Sequence, residues 1–350
     1  MSAPPSGIRV LPGVRVLRLG SWSFRVPRRP ARTAALLAVL IVAVVLVSLC
    51  VGTILLSPAD LLGTLTGDAS AATIRSVWGR RMPRALTALL VGASLGMSGA
   101  VFQSLSRNPL GSPDIIGFTS GAATGAVAHI VLFGGGMWGT AVSAVVGGLV
   151  TAAVVYLLAR RDGVSGGIRL VLVGIGIGAG ASALTSLLMV RAALDDATLA
   201  QLWSSGSLTG RGWPHVWTML AALVVLVPLL AVLVRDVSFL EMGDEAAQGI
   251  GVHAERVRFL AMFLAVVAAA VAVAAAGPIA FVAFAAPHIA RRIAPATGVQ
   301  LGVSALVGAL VLLLADLLAE NLDVGLRTPV GLVTSLLGGL YLLWLLARRI

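Results

Sequence analysis

Arginine carries all the positive charge of this chain, and its placement limits what chemistry is open. All 25 basic residues are arginine, set against 14 acidic residues and four histidines in 350 positions. A phosphate-cradling P-loop needs a lysine, so the sequence excludes nucleotide hydrolysis through that motif. The single cysteine, Cys50, allows neither an intramolecular disulfide nor a thiolate metal cluster. His129, His215, His253 and His288 are scattered and give no His-x-x-x-His spacing. What remains is a set of small constellations. Arg80, Arg81 and Arg84 form a basic cluster; arginine offers a planar, permanently charged fork suited to a carboxylate, and near a helix end it can also snorkel to phosphates. Glu241, Asp244 and Glu245 lie in an acidic, glycine-flanked segment with Gly243, Gly249 and Gly251 around a small centre, Ala246 and Ala247. Asp244 and Glu245 suit the first turn of a short helix, where the macrodipole favours negative charge.

Two further groups sit inside apolar runs. Gly174, Gly178, Ser182 and Ser186 recur every four residues, with Thr185 and Met189 beside them, so one face of an otherwise Leu/Val/Ile helix is small and hydroxylated. That face must meet protein or water. The glycines of Gly174-Ile-Gly176-Ile-Gly178-Ala-Gly180 follow no strand, which favours close helix packing over a nucleotide loop. Asp316 is an ionisable group within a span and so a functional candidate by default, a proton relay being one option. A relay needs a chain of such groups, and the sequence has no second one at that depth; a structural hydrogen-bonding role is the expectation.

The elements that position these residues are set by composition. The chain is 58% hydrophobic and 11% charged, with a mean hydropathy of +1.01, too apolar for a water-facing surface of this size. The apolar runs are helix-length and do not alternate, so the fold class is all-α, a polytopic membrane protein. Ten spans are expected, near 34–56, 85–105, 115–133, 137–159, 168–190, 215–234, 257–276, 278–290, 299–319 and 330–347. The eighth is short, opened by Gly277-Pro278 and closed by Pro287-His288 and Arg291-Arg292, as in discontinuous helices beside transport paths. With the N-terminus inside, eighteen arginines fall on inner segments and seven on outer ones, which puts both termini in the cytoplasm. The net charge of +11 therefore reports membrane anchoring and not nucleic acid. Seven arginines precede the first run; residues 1–32 read as a basic, flexible cytoplasmic tail, and 33–350 as the transmembrane domain, with an inner loop at about 236–256. The first run is too long for a signal h-region and is expected to be a retained helix.

Over some forty residues the order Arg81-Met82-Pro83-Arg84, Gly92-Ala93, Ser98-Gly99-Ala100, Gln103, Asn108-Pro109-Leu110, Ser112-Pro113 and Gly117 to Gly121-Ala122 resembles the signature of the iron-siderophore and vitamin B12 permease family, the membrane-spanning subunits of one class of ATP-binding-cassette importers. Trp203-Ser-Ser-Gly206-Ser207-Leu208 and Gly277-Pro278-Ile279-Ala280-Phe281-Val282 extend the likeness. The resemblance implies ten helices in a bacterial plasma membrane and a homo- or heterodimer with a second permease subunit. It also implies two ATP-binding subunits that hold the ATP and magnesium, and an extracytoplasmic substrate-binding protein. It implies no catalytic residue, resident cofactor or metal in this chain. It assigns Glu241, Gly243, Asp244, Glu245, Ala246, Ala247, Gly249 and Gly251 to ATPase coupling. Arg81 and Arg84, with Arg80 beside them, fall to binding-protein docking. Ser182, Thr185, Ser186 and Met189 of the fifth span, with Thr334 and Ser335 of the tenth, fall to the translocation path. His288 matches a structural Pro-His pair. One departure stands out: several relatives carry arginine at the position of Glu320 and glutamate at that of Arg327, which questions a third docking arginine. The function expected is a permease importing ferric siderophores, with vitamin B12 or haem as other cargoes. A proton-coupled secondary transporter is the alternative of a different class.

Overall fold

Small residues decide where this fold is tightest, and those of one helix bring it against several neighbours. The computed structural model describes residues 14–19, 22–52, 54–160, 167–321 and 328–347. Ten helices lie on the ten predicted spans: α1 (Arg28–Cys50), α4 (Met82–Leu105), α5 (Phe118–Phe133), α6 (Met137–Ala159), α7 (Gly167–Arg191), α9 (Trp213–Leu240), α11 (Ala254–Ala276), α12 (Val282–Ile293), α13 (Leu301–Asn321) and α14 (Val330–Ala347). Four short helices fill connections: α2 (Pro58–Thr66), α3 (Ala71–Ser76), α8 (Leu194–Ser204) and α10 (Asp244–Gly249). Among the described residues, seven helical stretches are long and apolar enough to cross a membrane unaided. The other three spans, α5, α12 and α14, are shorter, and α12 has only 12 residues.

α4 is the hub. A methyl on Gly96 would lie 2.2 Å from the Ser304 carbonyl oxygen of α13, and one on Gly99 would lie 1.6 Å from that of Ala283 in α12. Backbones meet there because no side chain intervenes, the usual basis of tight association in lipid. Buried hydroxyls extend the joint to α11, with Ser94 and Ser98 donating to the carbonyls of Ala268 and Ala265 at 2.8 and 2.7 Å. Gln103 donates to the Phe284 carbonyl at 2.9 Å and accepts from Arg291, tying α4 to α12.

α12 is discontinuous, as its sequence suggests. Helix α11 stops at Ala276, and Phe281 enters α12 with φ of 70°, a left-handed conformation unusual for a residue with a side chain. Non-helical backbone at membrane depth must find partners within the protein. Here Ser207 N–H donates to the Ala276 carbonyl at 2.8 Å, and Gly331 N–H donates to that of Gly206 at 3.2 Å. The turn after α8 and the start of α14 thus close the break.

Part of the basic tail read from sequence, 14–19 and 22–32, is among the described residues. Val14–Leu19 pairs antiparallel with Trp22–Pro27 and α1 begins at Arg28, several residues before the apolar run. The cause lies in the pattern: Val14, Val16, Trp22, Phe24 and Val26 alternate with arginine and serine, a strand period that the arginine count obscured. Outside α1, Ser57 caps α2 in a capping box with Asp60; its hydroxyl and amide hydrogen bonds hold the Asp60 carboxyl below the usual carboxylate range. α3 then runs through a π-helical turn, Val77–Arg81, into α4, so the second span carries extra helix ahead of the predicted boundary. Trp213 donates to the Trp78 carbonyl and stacks on its ring, with Trp217 next in line. Such an aromatic group suits a membrane–water interface.

Candidate functional site: docking end, coupling loop and cavity

At one end of the bundle the arginine cluster divides. Arg84 donates from Nε and Nη2 to the two carboxylate oxygens of Asp316 at 2.9 and 2.8 Å, and its Nη1 lies 3.4 Å from Glu320. The side chains of Arg84 and Asp316 are 20% and 8% exposed, so the pair is largely removed from water. Arg81 points elsewhere, donating to the carbonyls of Leu49 and Ile54 where α1 ends and its last carbonyls lack helical partners. Both forks are filled from within the chain. The two arginines that the resemblance assigns to docking are thus engaged with the end of α1 and with α13. Arg80 is exposed and has no intramolecular partner among the described residues. Glu320 belongs to the Arg84 cluster, and Arg327, considered as its partner, lies outside the described residues.

At the opposite end, α9 delivers the acidic loop against the end of α4. Glu241 accepts from Ser104 Oγ at 2.7 Å. Asp244 receives two hydrogen bonds from Arg258 Nη2, both 2.8 Å, and pairs with Arg107. Arg107 also donates to the Leu240 carbonyl at 3.0 Å, while Arg258 spans from Asp244 to Glu255. One carboxylate thereby fastens α10 to both α4's end and α11. Gly243 and Gly251 bracket the helix with φ of 117° and 87°, which L side chains adopt at a cost. Of the residues assigned to coupling, Glu241, Asp244 and Ala247 face the chain itself; Glu245, Ala246 and Gly249 face out, beside Met242 and Ile250. The sequence missed Arg107 and Arg258: Arg258, 14 residues from Asp244, was a visible signal, whereas Arg107 stands 137 residues from it.

Between these ends lies a cavity of 610 Å³ containing Ser182, Thr185, Ser186 and Met189 of α7, opposite Thr119 and Ser120 of α5. Gln201 and Ser204 of α8 and Pro278 at the helix break complete the polar side. Thr124 of α5 shares a 2.8 Å hydrogen bond with Thr185 and donates to the Ala181 carbonyl, aligning the two helices. The four-residue stripe therefore has two functions. Gly174 packs on the Ile115 carbonyl and Gly178 beside Gly117, whereas Ser182 and Ser186 open into the cavity. Gly176 and Gly180 meet nothing and take no part in the packing read from the sequence. Thr334 and Ser335 do not line the cavity. Thr334 is 2% exposed and both hydroxyls bond back to the Gly331 carbonyl, because Gly331 and Gly338 seat α14 against Ser205 and Phe281. His288 pairs through Nδ1 with the Tyr341 hydroxyl at 2.5 Å and stacks on Phe284, a structural joint between α12 and α14. No group of three or more His, Cys, Asp or Glu able to hold a metal occurs among the described residues.

A multi-pass bundle with a broken helix beside a hydroxyl-lined cavity defines a membrane transport subunit. The chain belongs to the FecCD transport family, whose model matches residues 40–348, and is a permease component of the ATP-binding-cassette importer class. It is 45% identical over 319 residues to the ferric enterobactin transport system permease protein FepG of Escherichia coli, covering 89% of this chain and 96% of that one. The iron(3+)-hydroxamate import permease FhuG of Bacillus subtilis is 37% identical, with 91% and 98% covered. The vitamin B12 import permease BtuC of Salmonella typhi is 33% identical, with 92% and 96% covered. A solved structure of a metal-chelate type ABC transporter in an inward-facing conformation superposes with a TM-score of 0.81 at 30% identity, over 91% of this chain and all of that one.

Proposed function

We propose that this permease moves ferric siderophores from an extracytoplasmic binding protein into the cytoplasm, working with a second permease subunit and two ATPase subunits. The observation that carries the reading is the cavity: hydroxyls and small apolar groups, with no charged side chain among the described residues that line it, suit a bulky chelate that must pass without sticking. The cargoes named for FepG and FhuG favour a siderophore; vitamin B12, named for BtuC, is the other cargo of the same class. ATP and magnesium reside on the ATPase subunits, and both termini of this chain are cytoplasmic. ATPase closure reaches the bundle through the outward face of α10, chiefly Glu245 and Ala246, with Asp244 and Glu241 holding that helix in place. The apolar faces of α7 and α14, exposed at Leu184, Leu187, Leu336 and Leu340, suit the second permease subunit. Docking of the binding protein centres on Arg80, while Arg81 and Arg84 shape the end that presents it. A proton-coupled carrier built on Asp316 is disfavoured by the Arg84 fork, which occupies both carboxylate oxygens.

Uptake of a radiolabelled ferric-siderophore panel into proteoliposomes holding the assembled complex tests this. ATP-dependent accumulation of a siderophore, with none of vitamin B12 or haem, is expected. Accumulation driven by a pH gradient without ATP overturns the importer reading.

A further inference from the structure

We propose that the seam between α6 and α11 binds one anionic phospholipid, its phosphate held by Arg160 and Arg256 and an acyl chain lying in the groove beyond them. A cavity of 700 Å³ opens along this seam. Leu149 and Ala152 of α6 and Met262 and Val266 of α11 line its deep part, and Phe259 and Phe263 stack along one wall with centroids 6.3 Å apart. Only one end is charged. Arg160 directly follows α6 and Arg256 stands in the first turn of α11; both are exposed, and neither side chain has an intramolecular partner among the described residues. Glu255 is the acidic residue lining this end, and its oxygens are taken by the Tyr156 hydroxyl and by Arg258, each at 2.8 Å. The free charge facing the groove is therefore positive.

The dimensions fit one lipid leaflet. Ten residues separate Arg256 from Val266 and eleven separate Arg160 from Leu149. At ~1.5 Å per residue the groove reaches about 15 Å below its basic mouth, half of a hydrocarbon core about 30 Å thick. A transmembrane helix from a partner would need no paired cations at a single end; an amphiphile with one anionic head needs that arrangement. Assignment to the inner leaflet rests on the proposed cytoplasmic termini, whereas the head and chain chemistry does not.

Native mass spectrometry of the full chain, titrated separately with phosphatidylglycerol and with phosphatidylcholine of the same chains, tests the site. Each basic group near an anionic lipid contributes enough that two should give at least about a tenfold preference for phosphatidylglycerol. Arg160→Gln with Arg256→Gln should abolish the preference, while the remote pair Arg75→Gln and Arg191→Gln leaves it intact. Ala153→Trp, which fills the groove from an exposed position, should weaken both lipids. Equal binding of the two lipids, an equal loss in the remote pair, or full displacement of the lipid by inorganic phosphate overturns the proposal. Phosphatidylglycerol with a photoactivatable acyl chain gives a readout on the unaltered protein: adducts within 149–157 and 259–266 are expected, and adducts confined elsewhere overturn it.

Discussion

Arg84 and Asp316 lie 232 residues apart in sequence, yet the guanidinium of one covers both oxygens of the other. This pair joins the hub helix α4 to α13 within the bundle. Breaking a buried pair leaves one charge without compensation, which typically costs about 3–5 kcal/mol, whereas replacing both partners by apolar groups is often neutral. Arg84→Ala and Asp316→Ala should each therefore destabilise strongly, and the double variant should be more stable than either. Unfolding in a mixed-detergent titration measures all three. Additive losses would show that the two side chains act independently.

Docking and stability should separate at the neighbouring arginine. Arg80→Glu should leave the unfolding midpoint unchanged, because the side chain is exposed and binds none of the described residues. Exposed ion pairs contribute only ~0.2–1 kcal/mol, so the variant should weaken binding-protein association about two- to fivefold, with a smaller loss at high salt. Binding isotherms in nanodiscs across a salt series decide this. An unchanged affinity at every salt concentration returns Arg80 to contact with lipid phosphates.

The inner loop offers a similar separation. Glu245→Arg and Ala246→Trp alter the outward face of α10 and should abolish stimulation of the ATPase by loaded binding protein, with melting unchanged. Asp244→Asn weakens the hold on Arg107 and Arg258 together and should lower the melting temperature as well as the stimulation. ATPase assays on the reconstituted complex, paired with thermal melts, check both. Full stimulation in the Glu245 and Ala246 variants would remove α10 from coupling.

Cysteine substitution can map the path in a Cys50→Ser background. Ser182→Cys and Ser186→Cys line the cavity and should react with water-soluble thiol reagents at rates that change when ATP binds. Thr334→Cys should react at least about tenfold more slowly, since Thr334 is buried between α14 and its neighbours. Equal rates at all three positions would mean that α14 also faces water.

The ten spans were legible because each helix must carry its own apolar run, and the run survives whatever the helix packs against. The hydroxyl stripe of α7 was equally legible, since a period of four on one helix is local information. Arg84 was not. Its partner stands on another span, and nothing in Arg81-Met82-Pro83-Arg84 distinguishes a fork turned inward to Asp316 from one turned outward to a second protein. Thr334 carries a related ambiguity: its small size is shared by residues that line a path and by residues that let α14 approach closely. The four connecting helices were weakly marked because they are short and none carries a long apolar run; α10 was marked by an acidic first turn and its flanking glycines.

The closed break between α11 and α12 has a consequence for biogenesis. Of the residues that close it, Gly206 and Ser207 are synthesised before the break and Gly331 after it. A ribosome that has released α12 has therefore made a segment whose seat is only half built. The seat is finished when α14, the last described helix, enters beside it. The eighth span should stay accessible to insertion factors and proteases until then, and a chain shortened before Gly331 should be cleared by quality control even though every earlier span is present.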